Sequence, residues 1–319
     1  MSQQIKTIGR PEIAAHLDIA ALIAPSVAAF KALSAGKSRS HIDVLHPTND
    51  SDMHIKSAVL DGANIYTVKL AGWAAHNEAA GLPASSGMIL VFSAETCRPV
   101  AMLHDDHLIS DLRTAAAGAV AAQELANKDA RKVGVLGAGE QAFRQIEALR
   151  LVRDIREITI WNRGRDKAEK LAGRLKQIDA SLAVDVQETP QTVVEAADIL
   201  VTATASREPL VKAEWLRPGM HITSVGADDI TKCELEPACL QRADLVVVDS
   251  LQAAAQYGNI RRALETKAHN VGQLVEIGKI LAHEATGRRS RNNITISTFV
   301  GLGVQDLAAV MLLREKLAF

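Results

Sequence analysis

Residues 132–142 read KVGVLGAGEQA, a short β-branched run followed by a glycine-rich turn. The turn has the spacing G-x-G-x-x-A, in which Ala142 takes the place of a third glycine. The first glycine of such a turn permits a sharp bend, the second lets the backbone approach a pyrophosphate, and the small third residue keeps helix and strand close. This stretch therefore predicts a dinucleotide site formed by Gly137, Ala138, Gly139, Glu140 and Gln141.

The chain around this turn alternates between apolar runs and charged amphipathic segments. The apolar runs are KVGVLG, EITIWN, ILVTATA, HITSVGA and LVVVDS, all between residues 132 and 250. Strands that are apolar throughout are typical of parallel sheets covered by helices on both faces. A glycine turn inside such a βαβ unit is the context that supports nucleotide binding. The sequence thus predicts an α/β fold with a Rossmann-type, doubly wound NAD(P)-binding domain.

The end of the second strand of this domain bears on the choice between NAD and NADP. An acidic residue there hydrogen-bonds the ribose 2′-hydroxyl of NAD and repels a 2′-phosphate. This chain has Asn162 and Arg163 at that position, and no carboxylate before Asp166. Because an arginine binds a phosphate group through a charged fork of donors, the sequence favours NADP(H) over NAD(H). The alternative is that Arg163 and Arg165 belong to a solvated loop.

Two further strand ends are expected to line the cofactor, because the carboxyl ends of parallel strands face the ligand crevice of a doubly wound sheet. The residues assigned on this basis are Thr202, Ala203, Thr204 and Val225. Asp228 follows the same strand as Val225, so we expect its carboxylate near the nicotinamide. The alternative is that Asp228 caps a helix that begins around Thr231 or Glu234.

The first third of the chain has a different pattern. A helix is predicted from Arg10 to Ala35, and short alternating runs separated by turn signals then predict an antiparallel sheet. Another helix is predicted over Asp111–Asn127. The segment His104–His107 predicts a turn between two strands, because aspartates favour turns. Its side chains also resemble metal ligands, but without a third clustered ligand no metal site is predicted.

The composition restricts the classes of protein to which the chain can belong. It has 319 residues, 36 Lys and Arg against 37 Asp and Glu, and a formal charge of −1. Nucleic-acid binding by bulk charge needs a basic excess, so no nucleic acid is expected as a partner. Three cysteines cannot form a disulfide framework, which favours a cytoplasmic location. The apolar run 19–30 is too short for a membrane span, and no membrane partner is expected.

Five segments of the chain resemble, in order, those of one known family. They are Tyr66–Leu70, Asp111–Ala117, the GAGEQA turn, Val225–Asp228 with Lys232–Leu235, and Gly301–Leu307. On these segments the chain resembles the ornithine cyclodeaminase/mu-crystallin family over essentially its whole length. Activities in this family include ornithine cyclodeaminase, cyclic-ketimine reductases such as pyrroline-2-carboxylate reductase, alanine dehydrogenase and iminosuccinate reductase. Some members bind NADP and a hormone.

The resemblance implies a homodimer with a discontinuous first domain. Residues 1–118 and 299–319 would form an α+β domain for substrate binding and dimerisation. Residues 119–298 would form the Rossmann dinucleotide-binding domain, inserted into the first.

The resemblance also implies roles for individual side chains. Lys69 and Arg113 would contact the substrate carboxylate, and Asp228 would face the reacting nitrogen. Arg39 is a candidate for a second carboxylate-binding arginine. The chemistry agrees, since an arginine fork suits a carboxylate and a carboxylate can stabilise a protonated imine. Lys69 could also act as a catalytic acid if burial among cations lowers its pKa.

One departure from the family bears on the reaction. Ornithine cyclodeaminases typically keep a recycling NAD and an acidic residue after the second strand, where this chain has Asn162 and Arg163. The sequence therefore predicts an NADPH-dependent reductase of an α-imino acid or cyclic ketimine, acting on a small molecule. The alternatives are a cyclodeaminase of ornithine or a related diamino acid with recycled NAD, and a non-catalytic NADP-dependent ligand-binding protein of the mu-crystallin type.

Overall fold

The computed structural model describes residues 5–268 and 271–319. The chain divides into two compact units, of which the first comprises Met1–Arg113 and Leu302–Phe319 and the second Thr114–Gly301. The described residues of each unit are organised around one β-sheet. Residues 1–4, which the sequence analysis assigned to the first domain, lie outside the described residues.

Helices and strands are numbered along the chain. The helices are α1 (Arg10–Ala14), α2 (Ile19–Ser34), α3 (Leu108–Leu125), α4 (Glu140–Val152), α5 (Arg165–Ile178), α6 (Pro190–Ala196), α7 (Pro237–Arg242), α8 (Leu251–Gln256), α9 (Gly258–Glu265), α10 (Ile277–Leu281) and α11 (Gly303–Leu317). The strands are β1 (Lys6–Gly9), β2 (Ser38–Thr48), β3 (Ser51–Leu60), β4 (Ile65–Ala74), β5 (Ser85–Ser93), β6 (Pro99–His104), β7 (Lys132–Leu136), β8 (Glu157–Trp161), β9 (Ala183–Val186), β10 (Ile199–Thr202), β11 (His221–Ser224), β12 (Leu245–Val248), β13 (Leu274–Glu276) and β14 (Thr295–Thr298).

The sheet of the first unit has the strand order β1-β6-β5-β4-β3-β2. Strands β2 to β6 pair antiparallel with their neighbours, but β1 pairs parallel with β6. The predicted antiparallel sheet is therefore confirmed for these five strands, and the structure adds at its edge the parallel strand β1, which the sequence did not predict. A parallel neighbour cannot be joined by a tight hairpin, so no local turn signal in the sequence could indicate this pairing.

Two aspartates start helices at places where the sequence predicted other structures. Asp18 accepts a hydrogen bond from the backbone N–H of Ala21 at 2.7 Å and caps α2, so the predicted helix Arg10–Ala35 is in fact the pair α1 and α2. Asp105 accepts a hydrogen bond from the backbone N–H of Ile109 at 2.9 Å. The segment His104–His107 thus joins β6 to α3, and the predicted turn between two strands is wrong. Both corrections follow from the ability of aspartate to satisfy free amides at a helix start.

The two faces of the first unit's sheet differ. Over residues 51–59 of β3 and 65–72 of β4, side chains alternate between buried and half-buried, and the buried set includes Lys56 and Lys69. Helix α11 packs on β2, β3 and β4. The close approach of α11 to β3 requires a glycine at position 303, because a Cβ at this residue would lie 2.6 Å from the carbonyl oxygen of Ser57. The other face carries half-buried apolar side chains, with Tyr66 stacked on Phe92 at a centroid distance of 5.0 Å.

The second unit contains an eight-stranded sheet in the order β13-β12-β14-β11-β10-β7-β8-β9, and every pair is parallel. Ile199 and Val201 belong to one apolar core and Leu200 to another, so both faces of β10 are buried. The predicted α/β fold with a doubly wound, Rossmann-type domain is confirmed. Nowhere in residues 5–268 or 271–319 does a helix combine the length and the apolar character that crossing a bilayer requires.

Candidate active site

In the first unit, two cations share one buried carboxylate. The Lys69 Nζ donates to the Ser110 Oγ at 2.8 Å and lies 2.9 Å from the nearer oxygen of Asp306. The Arg113 Nε donates to the Asp306 Oδ1 at 2.9 Å. Lys69, Arg113 and Asp306 are 2%, 4% and 1% exposed. The structure thus brings together two residues that the sequence predicted for substrate binding, and we call the three the carboxylate cluster.

Asp306 is the member of this cluster that the sequence analysis did not assign. It lies in the first turn of α11, after Leu302, whose backbone N–H donates to the side-chain oxygen of Gln305 at 2.9 Å. An acidic residue in the first turn of a helix ordinarily interacts with the helix dipole. The sequence around Asp306 gives no sign of its ion pairs, because their partners Lys69 and Arg113 are both more than 190 residues away along the chain.

The charges of the carboxylate cluster shift one another's pKa values. Burial, and then repulsion from Arg113, lower the pKa of Lys69 to about 8, while Asp306 and Asp105 act in the opposite direction. Burial alone would raise the pKa of Asp306, but Arg113, Lys69 and Lys56 overcome this and hold its pKa below the ordinary value. Lys69 and Arg113 together carry one more charge than Asp306 neutralises, which suits a second anion such as a substrate carboxylate.

Arg39 does not belong to this cluster. Its side chain is 72% exposed and its Nη1 lies 3.5 Å from the Oδ1 of Asp61. Ile42 of β2 shares a row with Lys56 and Lys69 across the sheet, and Arg39 is three positions from Ile42. Because side chains alternate along a strand, Arg39 lies on the face opposite to Lys69. The prediction of Arg39 as a carboxylate ligand is therefore corrected.

In the second unit, the glycine turn follows β7 and leads into α4. Gly137 has a φ of +113°, and a Cβ at this residue would lie 2.4 Å from the carbonyl oxygen of Ala203. Gly139 is the residue before α4, and a Cβ there would meet no atom within 4 Å. The turn therefore needs its first glycine for backbone geometry, whereas the second leaves open space at the start of a helix. This is the arrangement that receives a pyrophosphate, and the residues present fit a dinucleotide.

The side chains of the first turn of α4 are held in place by neighbours. Glu140 pairs with Arg144 and Arg174, with shortest N–O distances of 2.7 and 2.6 Å. Burial acts to raise the pKa of Glu140, and the hydrogen bonds and charges of these two arginines outweigh it, so the pKa is lowered. Gln141 accepts a hydrogen bond from the Nε2 of Gln145 at 3.3 Å. Arg144 of α4 and Arg174 of α5 therefore hold the carboxylate of Glu140, and Gln145 holds the side chain of Gln141.

The loop after β8 contains one engaged arginine and one exposed arginine. The Asn162 Nδ2 donates to the carbonyl oxygen of Gly164 at 3.0 Å, which shapes the loop. Arg165 pairs with Glu169 and Glu188. Arg163 is exposed. Of the two arginines considered for a phosphate, only Arg163 is not already paired within the part of the chain that the structure describes.

A buried glutamate joins the ends of β10 and β11, and the sequence analysis did not identify its role. Glu234 accepts hydrogen bonds from the hydroxyls of Thr202 and Ser224 at 2.7 and 2.8 Å. It also accepts from both the backbone N–H and the hydroxyl of Thr204 and from the backbone N–H of Gly226. Burial raises the pKa of Glu234, and these donors oppose that change. Glu234 thereby holds the strand ends that include the predicted cofactor residues Ala203 and Val225.

Asp228 is partly exposed and paired with a lysine. The Lys232 Nζ donates to the Asp228 Oδ1 at 2.8 Å, and the Asp228 side chain is 29% exposed. It does not cap a helix, because α7 begins only at Pro237. The backbone amides of Thr231 and Lys232 bond instead to Asp229. The helix-cap alternative for Asp228 is therefore wrong.

No metal centre takes part in this arrangement as far as the described ranges extend. Within residues 5–268 and 271–319, no group of three or more His, Cys, Asp or Glu side chains could hold an ion. In the segment His104–His107, the His107 Nδ1 lies 3.0 Å from the Asp111 Oδ1.

Known proteins resemble this chain along nearly its full length. The sequence model of the ornithine cyclodeaminase/mu-crystallin family matches residues 4–318. An uncharacterized cyclodeaminase of Sinorhizobium fredii is 36% identical over 292 residues, which cover 90% of this chain and 88% of that protein.

Two solved structures share the fold over almost the whole chain. The Delta(1)-pyrroline-2-carboxylate reductase of Thermococcus litoralis, in complex with NADH and L-proline, has a TM-score of 0.91 and 27% identity, covering 98% of this chain and 97% of that chain. An archaeal alanine dehydrogenase dimer with bound NAD has a TM-score of 0.89 and 31% identity, covering 98% and 95%. The resemblance inferred from the sequence motifs is thus confirmed, and the chain belongs to the ornithine cyclodeaminase/mu-crystallin family.

Proposed function

We propose that this protein is an NADPH-dependent reductase that converts an α-imino acid or a cyclic ketimine of the pyrroline-2-carboxylate kind into an amino acid. The observation that carries the proposal is the carboxylate cluster, in which Lys69 and Arg113 share the single carboxylate of Asp306. Such a reaction needs a site for the substrate carboxylate and a site for the dinucleotide. The carboxylate cluster is proposed as the first and the glycine turn after β7 as the second.

The residues have separate tasks in the proposed reaction. A reduced nicotinamide, when bound, supplies the hydride that the imine carbon accepts. Arg113 binds the substrate carboxylate through its guanidinium fork, and Lys69 adds a second charged donor. Asp228 stabilises the protonated imine nitrogen, and Lys232, whose Nζ donates to the Asp228 Oδ1 at 2.8 Å, orients its carboxylate. The solved relatives support this assignment, since both are named for reactions at a carbon–nitrogen bond beside a carboxylate.

The test is reductive turnover with defined substrates. Purified protein is incubated with NADPH and pyrroline-2-carboxylate, or with pyruvate and an amine, and the absorbance of the reduced nicotinamide is followed. We expect oxidation of NADPH and formation of the corresponding amino acid. Ammonia release from ornithine without net cofactor change would instead support a cyclodeaminase. Binding of NADPH without turnover across the panel would support a ligand-binding protein of the mu-crystallin type.

The preference for NADP(H) is proposed to depend on Arg163. We expect Arg163→Ala to raise the Kd for NADPH about 10- to 100-fold, since it removes a charged hydrogen-bond donor from the 2′-phosphate, and to change the Kd for NADH less than threefold. Fluorescence titration measures both constants. The matched control is Arg165→Ala, because Arg165 is already paired with Glu169 and Glu188. Equal affinity of the native protein for the two cofactors would contradict the assignment.

A second prediction concerns pH. The pKa of Lys69 is lowered to about 8, so the charge that binds the carboxylate is lost as the pH rises through this value. We expect kcat/KM to fall about tenfold per unit above pH 8. The same group makes the fold more stable as pH rises from about 8 toward 10.5, because the unfolded lysine then binds more protons. The alkaline loss of activity should therefore occur without unfolding, and it should be absent in Lys69→Arg.

We also propose that the protein is a homodimer formed through the half-buried face of the first sheet. Contiguous apolar side chains on a surface mark an interface, and this face carries Met53, Ile55, Tyr66, Val68, Leu70, Met88, Leu90 and Phe92. The alanine dehydrogenase relative is a dimer. Light scattering is expected to give twice the chain mass of 34.1 kDa. Leu90→Glu should give monomers, whereas Leu82→Glu, in an exposed loop, should not.

A further inference from the structure

The hydroxyl group of Ser110 contacts the ammonium group of Lys69 inside the carboxylate cluster. The Lys69 Nζ donates to the Ser110 Oγ at 2.8 Å, and Ser110 is 3% exposed. A serine within a helix ordinarily points to solvent or bonds to the backbone carbonyl one turn earlier. Within residues 5–268 and 271–319, the Ser110 hydroxyl instead has a single hydrogen bond, to a strand residue 41 positions away. The position of this hydroxyl is therefore defined by Lys69.

The contacts of Lys69 account for two of its three N–H groups. One N–H donates to the Ser110 Oγ and another to the Asp306 Oδ1 at 3.1 Å. The Asp306 Oδ2 lies 2.9 Å from Nζ but accepts no hydrogen bond from the described residues. Two hydrogen bonds in different directions fix the rotation of an ammonium group about its bond to carbon. The third N–H of Lys69 therefore has a defined direction, along which it can donate to a further acceptor.

Ser110 lies at a place where an ammonium group is electrostatically disfavoured. Helix α3 begins at Leu108, so Ser110 is in its first turn, and the positive end of a helix dipole repels cations. Burial lowers the pKa of Lys69 most, and repulsion from Arg113, on the same face of α3, lowers it further. An acceptor in this turn opposes these effects, because a hydrogen bond to the charged form of a group favours that form.

The other charged groups that face Lys69 come from three further segments. Asp306 of α11 and Asp105, which precedes α3, both act to raise the pKa of Lys69. Lys56 of β3 is the register partner of Lys69 on the buried face of the sheet. All of these groups stay in place when only Ser110 is replaced, so such a variant isolates the effect of the hydroxyl.

We propose that Ser110 is a positioning residue for Lys69, whose hydroxyl keeps the ammonium group charged and directs its third N–H to the substrate carboxylate. The identity of this anion rests on the proposed reductase function. The effect of Ser110 on the charge of Lys69 does not, because the contact between them exists without a substrate. Ser110 acts on the substrate through Lys69.

The first experiment measures the pKa of Lys69 in the absence of substrate. In protein containing isotope-labelled lysine, the NMR signal of the Lys69 Cε is identified by its absence in Lys69→Arg and is followed with pH. We expect Ser110→Ala to lower the pKa by about one unit, which corresponds to loss of one hydrogen bond to a charged group. Ser110→Thr, which keeps the hydroxyl, should restore the pKa. Alanine is the best helix former, so α3 should stay intact. An unchanged pKa in Ser110→Ala would contradict the proposal.

The second experiment tests the orientation of Lys69 by kinetics. We expect Ser110→Ala to raise KM for the imino acid about tenfold near neutral pH and to change kcat less than about threefold. The alkaline loss of kcat/KM should begin about one pH unit lower than in the native protein. Ser38→Ala is the matched control, because this buried serine of the same unit donates to the backbone carbonyl of Val59 at 2.8 Å. Its KM and pH profile should stay native.

The outcomes separate the role of Ser110 from the proposed function. No oxidation of NADPH or NADH with any imino acid would overturn the proposed function, and the pKa of Lys69 in Ser110→Ala would still decide the role of the hydroxyl. A merely structural role would lower the unfolding midpoint of Ser110→Ala but leave the pH profile of the folded protein unchanged. That result, or a native KM in a variant that reduces the imine, would overturn the positioning of Lys69 by Ser110.

Discussion

Replacing Arg113 with alanine is expected to lower kcat/KM for the imino acid substrate about 100- to 1,000-fold, with most of the change in KM. The variant removes a fork of charged donors from the substrate carboxylate, and one desolvated charge pair is worth this factor. It also leaves Asp306 with Lys69, whose Nζ lies 2.9 Å away. With repulsion from Arg113 removed, the pKa of Lys69 should rise, because that repulsion is one cause of its lowering.

The control for this experiment is a second arginine of the same unit. Arg39→Ala removes an exposed side chain that lies 3.5 Å from Asp61 on the opposite face of the sheet. Exposed ion pairs contribute little to stability, so kcat/KM should stay within about threefold of the native value. Initial-rate kinetics over a range of imino acid concentrations measures both variants. Equal losses in the two variants would contradict the assignment of Arg113 to the carboxylate.

Replacing Asp306 with asparagine is expected to reduce stability and activity together. The carboxamide has nearly the shape of the carboxylate but no charge, so Lys69 and Arg113 lose the anion that they share. Removing one partner from a buried ion pair destabilises a protein by about 3–5 kcal/mol. Chemical unfolding should show this as a lower midpoint. In the fraction that stays folded, the pKa of Lys69 should fall further, because Asp306 raises it, and the alkaline loss of activity should move to lower pH.

Asp61→Asn is the matched control, since it removes an exposed carboxylate that also pairs with an arginine. We expect its unfolding free energy to change by no more than about 0.5 kcal/mol. If Asp306→Asn were as stable as Asp61→Asn, the buried carboxylate could not be the centre of the cluster. A stable Asp306→Asn variant with native kcat/KM would also remove the main support for the proposed substrate site.

Local sequence patterns were sufficient to predict a feature where all the residues that determine it lie in one segment of the chain. The turn of residues 137–142 contains a tight bend, a point of close approach and a helix start, so its role can be inferred from its spacing together with the strand before it and the helix after it. The apolar strands of the second unit are uniform in character because both their faces are buried. Lys69 and Arg113 were identified from family motifs that extend over only a few residues each.

Local patterns failed where a residue depends on partners from distant elements. Asp306 looks like an ordinary first-turn acid of α11, yet it bonds to side chains of β4 and α3. Glu234 lies in an irregular segment, and its partners come from the ends of β10 and β11. Arg39 was a candidate from the family resemblance, whereas the register of β2 against β3 places it on the other face of the sheet. A shift of one residue in a strand reverses the face, and sequence alone does not specify that register.

Residues 132–142 predicted a dinucleotide site by themselves, since the geometry of a strand-to-helix turn is a local property of the backbone, and the apolar runs over residues 132–250 predicted the fold class. Only the tertiary structure decided which charges surround the proposed substrate site. Lys56, Lys69, Arg113 and Asp306 come from two strands and two helices, and their pKa values depend on burial and on one another. Coulomb energies depend on distance in space and on exclusion of water, and no single segment of the sequence specifies either quantity.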